Sequence, residues 1–112
     1  YPALYEKQFS SEGFQWIDYG DHENSVLTYT RKGHDKKNDL VVACNFTPVP
    51  RENYRIGIPK TTKYKEIFNS DHEKYGGSGM SNSAIKTTKT AWHSQKNSVV
   101  VTIPPLSVII LQ

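Results

Sequence analysis

The sequence predicts an all-β protein, an antiparallel β-sandwich of about seven to eight strands. Seven short runs rich in Val, Ile, Thr, Tyr and Phe recur along the chain, the composition that suits a pleated, half-buried surface. Clusters of Gly, Pro, Asn, Asp and Ser interrupt them at short intervals, as turns between antiparallel neighbours require. At 112 residues the chain is sized for one domain with a single core.

In chain order, Leu4 to Gln8 holds no turn former before Ser10-Ser11, so Pro2 to Gln8 reads as a short helical lead-in. Strands are then expected at residues 14–19, 25–32, 40–46, 54–58, 64–69, 98–103 and 107–111. Gly20 to Asn24 breaks the first pair, and Gly33 to Asn38 forms a charged hairpin loop. Thr47-Pro48-Val49-Pro50 ends a strand because proline lacks the ladder donor. Residues 69–97 form a long polar segment rich in Gly, Ser, Thr and Lys without clear periodicity. Alternation sets Val26, Thr28 and Thr30 against Leu27, Tyr29 and Arg31. It also gives an apolar face to Val99, Val101 and Ile103, and another to Val108 and Ile110. Leu40–Phe46 and Ser107–Leu111 are apolar on both faces, so these strands are expected to be central or covered from outside the domain.

The formal charge of +3 comes from lysines scattered through loops among Asp and Glu. No aromatic-interleaved basic stripe of the kind that tracks nucleic acid is present, so a nucleic-acid partner is not expected. The longest nearly apolar run, Leu106 to Leu111, is too short to span a bilayer, and no signal or transit segment is visible. Cys44 is the single cysteine, which excludes an intrachain disulfide; it reads as a buried thiol acting as a small hydrophobe. The histidines His22, His34, His72 and His93 all fall in expected loops without metal-ligand spacing, so neither metal nor cofactor is expected. Asp21-His22 and Asp71-His72 read as surface pairs. A cytoplasmic parent follows, and the lack of an initiating methionine points to a segment of a longer chain.

The stretch Leu40 to Pro59, LVVACNFTPVPRENYRIGIP, resembles the bacterial 1,4-α-glucan (glycogen) branching enzymes of the α-amylase superfamily, glycoside hydrolase family 13. The resemblance runs from Pro2-Ala3-Leu4-Tyr5 to Pro104-Pro105-Leu106-Ser107 and includes Tyr64 to Asp71, Tyr75-Gly76-Gly77-Ser78-Gly79 and Asn82. It implies the all-β domain that closes such enzymes. Residues 1–12 would then be a connector from a catalytic (β/α)₈ barrel, residues 13–112 the sandwich, and the barrel and α-glucan its partners. A barrel of about 250 residues cannot fit in this chain. The family's double displacement needs two carboxyl groups about 5 Å apart in a sugar cleft. Nothing here resembles those motifs, so no catalytic residue is expected and the chain alone should be inactive.

Four residues are the candidate glucan contacts under that resemblance. Trp16 offers a ring on which a sugar can stack, with Asp18 beside it to accept a hydroxyl proton; the competing role for Trp16 is packing in the core or against the barrel. Tyr75 offers a ring in the glycine-rich loop. A phosphate cradle is excluded there, because the strand and helix flanks and the Lys-Ser/Thr ending are absent. Trp92 lies in Trp92-His93-Ser94-Gln95, where the resemblance places glycine at position 94, so a different turn is expected. Lys60-Thr61-Thr62-Lys63 likewise departs from a family glycine. Two other readings are an autonomous carbohydrate-binding module and an Ig-like interaction domain. The first is weakened by two tryptophans in different elements, the second by the lack of a cysteine pair.

Overall fold

A computed structural model describes residues 1–7, 10–21, 25–59, 63–83, 85 and 87–112, with the side chains of 19–21 outside that description. Seven strands form among these residues: β1 Phe14–Asp21, β2 Val26–Arg31, β3 Leu40–Asn45, β4 Arg51–Ile58, β5 Glu66–Asn69, β6 Asn97–Ile103 and β7 Ser107–Leu111. One sheet has the order β1-β2-β3-β7-β5 and the other is the pair β4-β6, with every pairing antiparallel.

The expected sandwich is present, and its core lies between the two sheets. Val26, Val41, Ala43, Ile109 and Leu111 face inward from the larger sheet, and Ile56, Ile58, Val99, Val101 and Ile103 meet them from the smaller one. Tyr64 and Ile85, joined by an isolated bridge, close the side. The apolar Val99, Val101, Ile103 face of β6 is buried, and of the two faces that alternation separates on β2 the Val26, Thr28, Thr30 face is the buried one. On β7 the expectation reverses: Ile109 and Leu111 enter the core, while Val108 and Ile110 take the outer face. Both faces of that strand are apolar, so period two alone could not choose. The choice follows from register, because Val108 stands opposite Cys44 and Ile110 opposite Val42, the outward residues of β3.

β3 and β7 are central, as their two-faced apolarity requires. β4 starts three residues earlier than expected, directly after Pro50. Its early portion carries a register shift between Arg51 and Tyr54. The lead-in is not an α-helix. Pro2–Leu4 and Ser11–Gly13 are single 3₁₀ turns. The first turn is nevertheless docked: Ala3 is fully buried and the Arg31 guanidinium donates to the Leu4 carbonyl at 3.2 Å. Gln8, the turn residues His22 to Asn24 and the departure at Lys60 to Thr62 lie outside the described residues.

The β3–β4 crossover is fixed by Asn45. Its buried amide nitrogen donates to the carbonyls of Val49, Ile103 and Pro104 at 2.9, 3.3 and 3.1 Å. Its carbonyl oxygen accepts the Thr47 N–H and hydroxyl at 3.0 and 2.8 Å. One side chain therefore binds the proline-punctuated turn to the β6–β7 turn.

Candidate functional site

The four candidate contacts fall in three places. Trp16 stands on the outer face of the larger sheet, 45% exposed. It makes an edge-to-face contact with Phe14 at 5.1 Å and with Tyr29 at 5.9 Å, while Phe14 stacks on Tyr29 at 4.9 Å. These three rings start a longer row. Trp16 is opposite Tyr29, Tyr29 opposite Val42, Val42 opposite Ile110 and Ile110 opposite Phe68, so each strand of the sheet contributes one apolar side chain. Leu27, Cys44 and Val108 form a second row beside it. The Cys44 thiol is half-buried, not sealed in the core, and its burial raises its pKa.

Asp18 does not join Trp16. A register shift follows Trp16, after which Asp18 pairs with the inward-facing Thr28. The bulge inserts Ile17, which packs against the core, and so turns Asp18 toward the smaller sheet. There it meets His93, whose Nε2 lies 3.4 Å from Asp18 Oδ2; both side chains are mostly shielded. His93 Nδ1 accepts the Gly57 N–H at 3.1 Å, so the neutral ring carries its proton on Nε2. Trp92, 48% exposed, adjoins this ring at 6.0 Å. In the turn that holds Ser94, Trp92 and Gln95 exchange both backbone hydrogen bonds, and His93 and Ser94 have φ of 48° and 62°. Positive φ at both central residues is the signature of a type I′ turn, so serine adopts the conformation that glycine favours.

Tyr75 belongs to a different constellation. Residues 70–82 are tied down rather than loose. Asp71 is not a surface residue paired with His72. Its buried carboxylate accepts the Ser78 hydroxyl at 2.6 Å and the N–H groups of Ser78 and Met80 at 3.1 and 3.0 Å. Those bonds, the Ser78 hydroxyl first, hold its carboxyl below the ordinary range against the opposing effect of burial. Asn82 acts as an extra rung on β6, accepting from the Thr102 N–H and donating to the Thr102 carbonyl, both at 2.8 Å. On this frame Tyr75, 55% exposed, lies 5.6 Å from the Phe68 ring. Glu66, Phe68, Asn69, His72, Lys74 and Tyr75 line a cleft of about 130 Å³, and a second cleft of about 160 Å³ shares Glu66, Asn69 and His72. A larger cavity of about 460 Å³, lined by Lys7, Lys32, His34 and Lys36 together with Glu12 and Asp39, has no Phe, Tyr or Trp in its wall.

Phe68 and Glu66 were not singled out from sequence, and His72 was read only as half of a surface pair with Asp71. Phe68 sits at the strand end nearest the Tyr75 loop, and an aromatic at that junction was the available signal. Among the described residues no three His, Cys, Asp or Glu side chains converge as a metal site. None of the described helices is long and apolar enough to cross a membrane.

Three relatives illustrate what the chain is similar to. It is 50% identical over 111 residues to the 1,4-alpha-glucan branching enzyme GlgB of Aquifex aeolicus, covering 98% of this chain and 18% of that protein. The GlgB of Methylococcus capsulatus is 50% identical over 109 residues, covering 97% of this chain and 14% of its own length. The GlgB of Rubrobacter xylanophilus is 39% identical over 111 residues, covering 99% and 15%. The chain thus spans less than a fifth of the relatives it matches. The family described as alpha amylase, C-terminal all-beta domain matches residues 16–112. With these seven strands, two sheets and one shared core, the chain belongs to the alpha-amylase C-terminal all-beta domain family.

Proposed function

We propose that this chain is the non-catalytic C-terminal domain of a cytoplasmic 1,4-α-glucan branching enzyme. That enzyme cleaves α-1,4 glucan and transfers the chain to form α-1,6 branches in glycogen biosynthesis. The domain packs on the catalytic (β/α)₈ barrel and stabilises it. Residues 1–12 serve as the connector, and the sandwich offers the glucan an outlying contact. Identity to branching enzymes over nearly the whole chain supports the assignment.

The observation that carries the domain's own role is the stretch of the outer apolar row from Trp16 through Tyr29 and Val42 to Ile110, which stops short of the edge strand β5. Central strands that are apolar on both faces call for a cover on each. The inner face has one in β4 and β6. The barrel of the same polypeptide is the cover for the outer face, in an interdomain contact.

Cys44 provides the test, because it stands in the second outer row between Leu27 and Val108. Thiol labelling of Cys44, followed by peptide mass spectrometry, should be at least about tenfold slower in the full-length parent than in this chain alone. Equal rates would overturn the docking of this face.

A further inference from the structure

We infer that the cleft between Phe68 and Tyr75 is a subsite for one pyranose ring of an α-1,4-linked glucan, an assignment of ligand class that rests on the function proposed above. The geometry supplies each group such a ring needs. A pyranose presents a weakly polar C–H face and a rim of hydroxyls that both donate and accept. Phe68, 37% exposed, and Tyr75 form an open wedge tilted by 41°, on which the C–H face can lie.

The rim finds an acceptor in Glu66 and donors in His72 and Lys74. A carboxylate has about four acceptor positions. Glu66 Oε1 takes Asn69 Nδ2 and Asn82 Nδ2 at 3.2 and 2.9 Å, and Oε2 takes the Asn82 N–H at 3.2 Å. Oε2 therefore keeps a lone pair for a hydroxyl while the carboxylate is held in place. His72 Nδ1 accepts the Lys74 N–H at 3.1 Å, which leaves the Nε2 proton of the neutral ring as a donor. Lys74 Nζ lies over the Tyr75 ring, 5.1 Å from its centroid, where it can meet a hydroxyl of a sugar placed against that ring. The Glu66 charge disfavours an anionic occupant.

Size and stiffness agree with this assignment. The two adjoining clefts, about 130 and 160 Å³, each fall below the roughly 300–1,000 Å³ of sites for drug-sized ligands, so each suits a single ring. The Asp71 bonds to Ser78 and Met80 fix the loop before any ligand arrives, which reduces the ordering lost on binding.

Titration of this chain with maltoheptaose, read by amide chemical shifts, tests the assignment, with cellohexaose as the β-linked control. Saturable shifts centred on residues 66–75 are expected, with binding about tenfold weaker in Tyr75→Ala and in Tyr75→Leu. The second variant keeps apolar volume but removes the ring face. Cellohexaose should bind about tenfold more weakly than maltoheptaose. Tyr75 is exposed, so both variants should melt as the parent chain does. Absent shifts at 66–75, an unchanged affinity in both variants, or equal binding of cellohexaose would each overturn the subsite. None of these results alters Cys44 labelling, whose failure would instead overturn the docking role.

Discussion

The imidazole of His93 lies 3.4 Å, Nε2 to Oδ2, from the carboxylate of Asp18, and its Nδ1 accepts the Gly57 N–H at 3.1 Å. Asp18 belongs to the five-stranded sheet and Gly57 to the two-stranded one, so this ring bridges both layers at the edge of the sandwich. The crossing depends on the glycine. A Cβ at position 57 would run into the Trp92 carbonyl oxygen and the His93 side chain. Gly57→Ala should therefore destabilise the fold by about 1–3 kcal/mol, the usual range for forcing extra atoms into a packed contact. Urea denaturation checks this, and an unchanged midpoint would show that the hairpin does not bear on β4.

Ser94 has φ of 62° in the Trp92–Gln95 turn. A left-handed conformation costs a non-glycine residue about 1–2 kcal/mol. Glycine removes that strain but loses more chain entropy on folding, which offsets about 0.5–1 kcal/mol. Ser94→Gly should thus stabilise the domain by about 0.5–1 kcal/mol, seen as a rise in melting temperature. A fall would mean that the serine side chain contributes more than its backbone strain removes.

Much of the fold was legible because most strands have one apolar face. The buried Val99, Val101, Ile103 set followed from alternation, as did the separation of the two faces of β2, and the central placement of β3 and β7 from their two-faced apolarity. Alternation failed where its premise failed. β7 offers two apolar faces, and the bulge at Ile17 adds a residue that no period-two reading detects, so Trp16 and Asp18 part company. The site was legible only as single residues. Trp92 and Asp18 meet through His93 because a long-range contact places them, and local sequence carries no record of it; Tyr75 meets Phe68 and His72 through the short 3₁₀ turn Glu73–Tyr75, whose path the apolar periodicity does not mark.

Asn45 is the polar residue on which the turns depend. Its amide reaches three carbonyls and its oxygen two Thr47 donors, all from a position 2% exposed. Asn45→Ala would leave several of these groups buried and unpaired, and should cost about 2–4 kcal/mol. Asn45→Asp keeps the acceptor for Thr47 but turns a charge against the carbonyls, so it should be no more stable than the alanine variant at neutral pH. Equilibrium denaturation of the two variants side by side decides. A loss well below 1 kcal/mol in Asn45→Ala would show that water replaces the amide without strain.

Asp71 should make stability pH-dependent on the acid side. Its folded-state pKa is lowered, chiefly by the Ser78 hydroxyl and with help from the backbone N–H groups of Ser78, Met80 and Gly79. Between the folded value and the unfolded value near 4, the unfolded chain binds more protons than the folded one. The stabilisation is therefore fully present above about pH 4 and is lost as pH falls through the folded pKa. Asp71→Asn cannot accept at both oxygens, so at about pH 7 it should melt below the parent chain, and the gap should close on acidification. A gap that stays constant from neutral pH to about pH 3 would show that the bonds to Ser78 and Met80 do not depend on the carboxylate's charge. The same carboxylate anchors the loop that carries Tyr75. Acid should accordingly weaken the maltoheptaose response over the range in which the melting gap closes, without loss of the β-sandwich itself.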